Sequence, residues 1–159
     1  MKLQLRPVRL PAMRLLCAAW LALLSQSSFS ATSCAINSAG PVSFGAYDVL
    51  SPSPNNNGVG SIRIDCRGAG NNTFDVSLSA GQSHSYALRQ MTSGGNRLNY
   101  NLYTGADRTV VWGDGSGASR VMTVVKNEPT TLSIFGQIPA EQDAAIGTYT
   151  DPIVATVNF

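Results

Sequence analysis

The sequence predicts an all-β domain, an immunoglobulin-like sandwich of short strands held by one disulfide, and three observations lead there. Apolar residues recur with a period of two over most of the chain, the spacing of a half-buried strand rather than of a helix. Clusters of Gly, Pro and Asn separate the alternating runs, as turns between short strands require. Two cysteines, Cys34 and Cys66, remain once an N-terminal export segment is set aside.

That segment is the first element. Lys2, Arg6, Arg9 and Arg14 appear with no acidic residue, then an apolar run from Leu15 to Leu24, then small polar residues up to Ser30-Ala31. Basic, apolar and small residues in that order form a cleavable signal peptide. The apolar run has ten residues, whereas a spanning helix needs about twenty, so no permanent membrane anchor is expected. Cleavage is placed after Ser30 or Ala31, giving a signal over 1–31 and one domain over 32–159. Cys17 lies inside the apolar run, with Leu16 where a lipoprotein signal needs a small residue, and leaves with the signal.

Losing the signal changes the charge. Of eleven basic residues four go, leaving seven against nine acidic ones. The mature domain is thus weakly acidic, and a nucleic-acid partner loses its compositional support. In an oxidising compartment the two remaining cysteines pair as one disulfide.

Along the mature chain, a β-rich run spans Val42 to Tyr47. Ile62, Ile64 and Cys66 then alternate with Arg63 and Asp65; Phe74, Val76 and Leu78 alternate with Asp75 and Ser77; Leu98, Tyr100 and Leu102 alternate with Asn99 and Asn101. Further β-rich runs cover Tyr86 to Met91, Thr109 to Trp112, Val121 to Val125, Thr131 to Phe135 and Ile153 to Phe159. Turns are expected over Pro52 to Gly58, Gly68 to Asn72, Ser93 to Asn96 and Gly113 to Gly117, with a short helical turn over Gln142 to Ile146. The last run places Ile153, Ala155, Val157 and Phe159 on one face and has no hairpin partner after it. Either an earlier strand covers its free edge or something from outside does.

Motifs for chemistry fail on context. Gly81-Gln-Ser-His-Ser85 nearly matches a nucleophile elbow, but serine replaces the last glycine and no strand-to-helix turn follows. His84 is the chain's one histidine, and with both mature cysteines paired it has no companions for a metal site. Gly113-Asp-Gly-Ser-Gly-Ala118 satisfies a dinucleotide fingerprint, yet strand-forming residues follow where a helix N-terminus must receive the pyrophosphate. Asp114 lacks the acidic ladder of a calcium loop. Tyr47, Tyr100, Tyr103, Trp112 and Tyr149 could make a sugar platform, but aromatics in strands more often pack inward. No enzyme, cofactor or metal is expected.

Taken in order, Cys34-Ala-Ile, Val42-Ser-Phe-Gly-Ala-Tyr47, Ile62-Arg-Ile-Asp-Cys66, Leu78-Ser-Ala-Gly81, Arg89-Gln-Met91, Leu98-Asn-Tyr-Asn-Leu-Tyr103, Val111-Trp-Gly-Asp-Gly115, Phe135-Gly-Gln-Ile-Pro139, Gly147-Thr-Tyr-Thr-Asp151 and Val157-Asn-Phe159 resemble the spore coat protein U domain family. That family includes pilus subunits of the archaic chaperone-usher class. The resemblance implies a sandwich missing its last strand, with Ile153, Ala155, Val157 and Phe159 lining an acceptor groove. It implies a periplasmic pilus chaperone that fills the groove in transit, an outer-membrane usher, and neighbouring pilin subunits whose N-terminal extensions replace the chaperone. It also implies that Cys34–Cys66 ties the first strand to the second, and a passage through the periplasm to a surface fimbrium or secretion.

One departure is visible. Polymerising subunits of the family carry a donor extension of about a dozen residues before the first cysteine, the length a strand needs to span a groove. A cut after Ala31 leaves Thr32 and Ser33, which points to the tip of a fibre. The competing readings are a tip adhesin whose loops Ser51–Gly60 or Gly113–Ser119 contact a surface or glycan, and a self-complete secreted coat protein.

Overall fold

The computed structural model describes residues 31–70, 72–126 and 128–158. The signal residues up to Ser30, Asn71 and the groove candidate Phe159 lie outside the described residues.

Eight strands follow in order: β1 (Ser33–Ala39), β2 (Asn55–Arg67), β3 (Thr73–Leu78), β4 (Arg89–Ser93), β5 (Asn96–Tyr103), β6 (Met122–Val125), β7 (Thr130–Ile138) and β8 (Ala155–Asn158). A 3-10 turn at Gly81–Ser83 is the one helical element among the described residues. The strands form a five-stranded sheet, β1-β2-β7-β5-β4, and a three-stranded sheet, β6-β3-β8. Every strand pair is antiparallel. The result is the β-sandwich that the alternation implies.

Each sheet turns one face inward, and the period-two residues fill the space between. Ile62, Ile64 and Cys66 of β2, Phe74, Val76 and Leu78 of β3, and Leu98, Tyr100 and Leu102 of β5 are all buried. Trp112 joins them with no exposed surface, and its Nε1–H donates to the Val76 carbonyl at 2.8 Å. A buried indole needs such an acceptor.

The β4–β5 hairpin closes on Gly94 and Gly95, with Ser93 opposite Asn96. Gly94 has φ +59°, a left-handed conformation that glycine adopts without steric cost, so this turn falls where the sequence places it.

Four expectations are corrected, the first being Thr109 to Trp112, which forms no strand beyond the isolated bridges of Val111 to Tyr103 and of Trp112 to Arg120. Asn55 to Gly58, read as part of a turn, belongs to β2 and carries a bulge in its pairing with β7. The reason is remote: the Phe44 ring lies against this strand pair, and a Cβ at Gly58 or Gly136 would overlap it. Val42 to Tyr47 forms no strand beyond the bridge of Ser43 to Val59. Gln142 to Ile146 forms no helical turn. Its Gln142 side chain instead reaches across to β5, accepting from the Asn99 N–H at 2.8 Å and donating to the Asn99 carbonyl at 2.9 Å.

Candidate functional site

The disulfide joins the first two strands. Cys34 and Cys66 stand directly opposite in the β1–β2 register and are bonded, as the resemblance implies. They are 32 positions apart in sequence, and closing that loop stabilises the fold by about 3–4 kcal/mol in the chain-entropy picture.

The opposite situation holds at β8. It pairs with β3, Val157 facing Val76 and Ala155 facing Leu78, and no strand among the described residues pairs with its other edge. Ile153, Ala155 and Val157 fall on one face, partly buried, while Val154, Thr156 and Asn158 point to solvent. Ile153, Ala155 and Val157 thus share the inward face of this edge.

Beside this edge the sandwich stands open. A cleft of about 310 Å³ has its floor on core side chains from both sheets, among them Ile62, Leu78, Leu102 and Ile134. One wall is the segment Ala39 to Val42 that leaves β1; the other runs from Tyr149 to Asp151 and on through Ile153 and Ala155. Val157 is not part of this lining. A second hollow of about 750 Å³ shares Pro41, Val42, Met91 and Tyr149 with the first and continues past Phe44, Leu98 and Ile138. Together they make one largely apolar trough between the segment that leaves β1 and the segment that leads into β8.

The wall before β8 is pinned in place. Thr150 and Thr92 exchange both backbone hydrogen bonds, at 2.9 and 3.0 Å. Asp151 Oδ1 accepts the Gln82 N–H at 2.9 Å, and Oδ2 accepts the Tyr100 hydroxyl at 2.7 Å. Ser79 donates its N–H to the Val154 carbonyl at 2.8 Å, and its Oγ accepts the Val154 N–H at 3.0 Å. The trough is thus partly formed in advance, a condition that lowers the ordering cost of filling it.

Behind the floor sits a feature that alternation alone obscured. Arg89 is fully buried and hydrogen-bonds to no carboxylate, although the charge of Asp151 acts on it through space. Its Nε and Nη2 donate to the Ser79 carbonyl at 3.1 and 2.8 Å, Nη2 also to the Trp112 carbonyl at 2.7 Å, and Nη1 to Asn101 Oδ1 at 2.7 Å. The Tyr86 ring lies 5.2 Å from the guanidinium. Burial pulls the guanidinium's pKa down, but carbonyls and an aromatic face supply what water would. Burial, followed by the hydrogen bond to Asp151, holds the Tyr100 phenol well above its ordinary range. The available signal was parity: Arg89 shares the inward face of β4 with Met91 and stands opposite Tyr100.

The catalytic look-alikes come apart. His84 closes the 3-10 turn in a left-handed conformation, φ 55°, its N–H donating to Gly81. Gly113 to Ala118 folds back on itself, with Asp114 Oδ1 accepting from the Ser116 hydroxyl and N–H at 2.6 and 2.8 Å. Those two donors hold the Asp114 carboxyl below its usual range, and no helix follows. Among the described residues no three His, Cys, Asp or Glu side chains gather as a metal site would require. The aromatic platform dissolves too, because Trp112 and Tyr100 are core residues, 0 % and 3 % exposed.

A disulfide-stapled, two-sheet immunoglobulin-like sandwich with an open trough along one strand edge defines the class. The chain belongs to the Spore Coat Protein U domain family, whose match covers residues 20–156 and so reaches back into the stretch read as signal. It is similar to "Protein U" of Myxococcus xanthus, 28% identical over 130 residues that cover 76% of this chain and 72% of that one. In three dimensions it is similar to a chain of the CsuC-CsuE chaperone-tip adhesion subunit pre-assembly complex from the archaic chaperone-usher Csu pili of Acinetobacter baumannii. The TM-score there is 0.54 at 25% identity, over 81% of this chain and 40% of that chain. This chain thus spans less than half the length of that solved chain.

Proposed function

We propose that this chain is an exported structural subunit of a chaperone-usher surface pilus, and that the trough beside β8 accepts a β-strand from a partner. The observation that carries the reading is the trough itself: an apolar floor continuous with the core, open beside β8, whose outer edge no described strand pairs. An incoming strand would gain ladder hydrogen bonds along an edge and seat alternate apolar side chains on the floor, which is β-augmentation. In this account the acceptor residues are Ile153 and Ala155, which line the trough, together with Val157 and Phe159 further along the same run. A periplasmic chaperone fills the trough first; at the outer-membrane usher, a neighbouring subunit's extension takes over. The likeness to a chaperone-bound pilus assembly supports this assignment.

The test is thermal. Mature protein is melted alone and with strand peptides from candidate partner subunits. A peptide at a hundred times its Kd adds about 2.7 kcal/mol, a rise of several degrees in Tm for a domain of this size. A chain that melts as a stable monomer, unmoved by any peptide, is instead a self-complete coat protein, the reading that the family's name favours.

Within this function, a tip position follows if export cleaves after Ser30 or Ala31, since no donor strand would then precede Cys34. Mass spectrometry of the mature N-terminus decides it. Cleavage near Ala19 would leave Trp20 to Ser33 long enough to donate, and the tip assignment would fall.

A further inference from the structure

One group in the trough departs from its apolar surroundings. Asp151 is the single carboxylate among the described residues that line the first hollow. It sits over Gly81, where a Cβ would overlap it, and its two oxygens accept from the Gln82 N–H and the Tyr100 hydroxyl. Both donors are neutral. The ion pair found among the described residues is Arg67 with Asp65, elsewhere on the surface. Arg89, the guanidinium on this side of the core, is near enough to Asp151 for the two charges to act on each other through space, but its hydrogen bonds go to Ser79, Asn101 and Trp112.

Asp151 is half-buried, so water reaches it while the trough stands open. A strand laid over the trough removes that water. An ionised carboxylate has about four acceptor positions, of which two are taken here, and burying it with the others unfilled and no cation in direct contact is costly. Whatever fills the trough has to supply the missing donors.

We infer that the strand filling this trough breaks its apolar alternation at one position with a Lys or Arg that pairs with Asp151, and that Asp151 thereby selects among partner strands. This rests on the strand-accepting reading above. Charge complementarity also indicates whose strand it is. Residues 15–33 of this chain contain no Lys or Arg, so the N-terminal segment of a second copy lacks the required cation. The occupant is a strand of a different polypeptide.

The experiment is a lysine scan. Alternating apolar peptides, each with one Lys at a different inward position, are titrated against the mature protein beside versions with Leu or Glu there. The expected result is one register where Lys binds about 10-fold tighter than Leu, as a close charge pair provides. Glu at that register binds more weakly than either, the Lys preference shrinks with added salt, and it disappears in Asp151→Asn. If Asp151→Asn does not fold, the salt dependence and the Glu penalty on the unaltered protein still decide the matter.

Apolar peptides that bind with no register favouring Lys overturn the role of Asp151 and leave the strand-accepting reading standing. Failure of every peptide removes both. A peptide of residues 20–33 that binds as tightly as the best Lys peptide overturns the assignment to a different polypeptide.

Discussion

β3 and β8 are neighbours in one sheet, both alternate, and both turn their apolar residues toward the same core, yet they end in different states. Phe74, Val76 and Leu78 of β3 are at most 1 % exposed. Ile153, Ala155 and Val157, in and just before β8, point the same way and stay partly open. The difference is the number of partners: β3 lies between β6 and β8, whereas β8 has β3 alone. Alternation decides which face a strand turns inward; only the neighbouring strands decide whether that face is covered. The proposed function lives in that gap.

Substitution can sharpen the contrast, beginning with the largest effect. Phe74→Ala removes a fully buried ring from β3 and is expected to cost about 3–5 kcal/mol, the range for emptying a packed aromatic site. Chemical denaturation of the variant measures it. Opening the Cys34–Cys66 disulfide by paired serine substitution is expected to cost about 3–4 kcal/mol, because it frees β1, which pairs with β2 alone. Val157→Ala on β8 is expected to cost under about 1 kcal/mol in the isolated chain, since the side chain has little to lose there. A loss at Val157 as large as that at Phe74 would mean that β8 is already covered.

Much of this architecture could be read from the chain. Ile62, Ile64 and Cys66, like Leu98, Tyr100 and Leu102, declared their strands and their faces because alternation is a local property. The disulfide followed from arithmetic, and the alternation that sets Ile153, Ala155 and Val157 on one side of the chain is just as local. What escaped depends on distant contacts. Asn55 to Gly58 reads as a turn until Phe44 is seen to need a glycine beneath its ring. Gln142 reads as helix-forming until its amide is seen bonded to Asn99. Asp151 is an unremarkable acid in sequence, and its place beside Tyr100 and Gln82 emerges only when residues 51 and 69 positions away fold against it. Arg89 was hidden for a related reason: a charge in an alternating strand is assumed to face water unless enough acceptors meet inside to replace it.

The strand-accepting account stands most directly on hydrogen exchange at β8. In the isolated mature protein, the amides of Ala155–Asn158 are expected to exchange much faster than those of Thr73–Leu78 in β3, because an edge with one partner opens at low cost. With a bound strand peptide, β8 should approach the protection of β3. Protection equal to β3 in the peptide-free monomer would contradict the account, for it would mean the edge is already filled from within the chain.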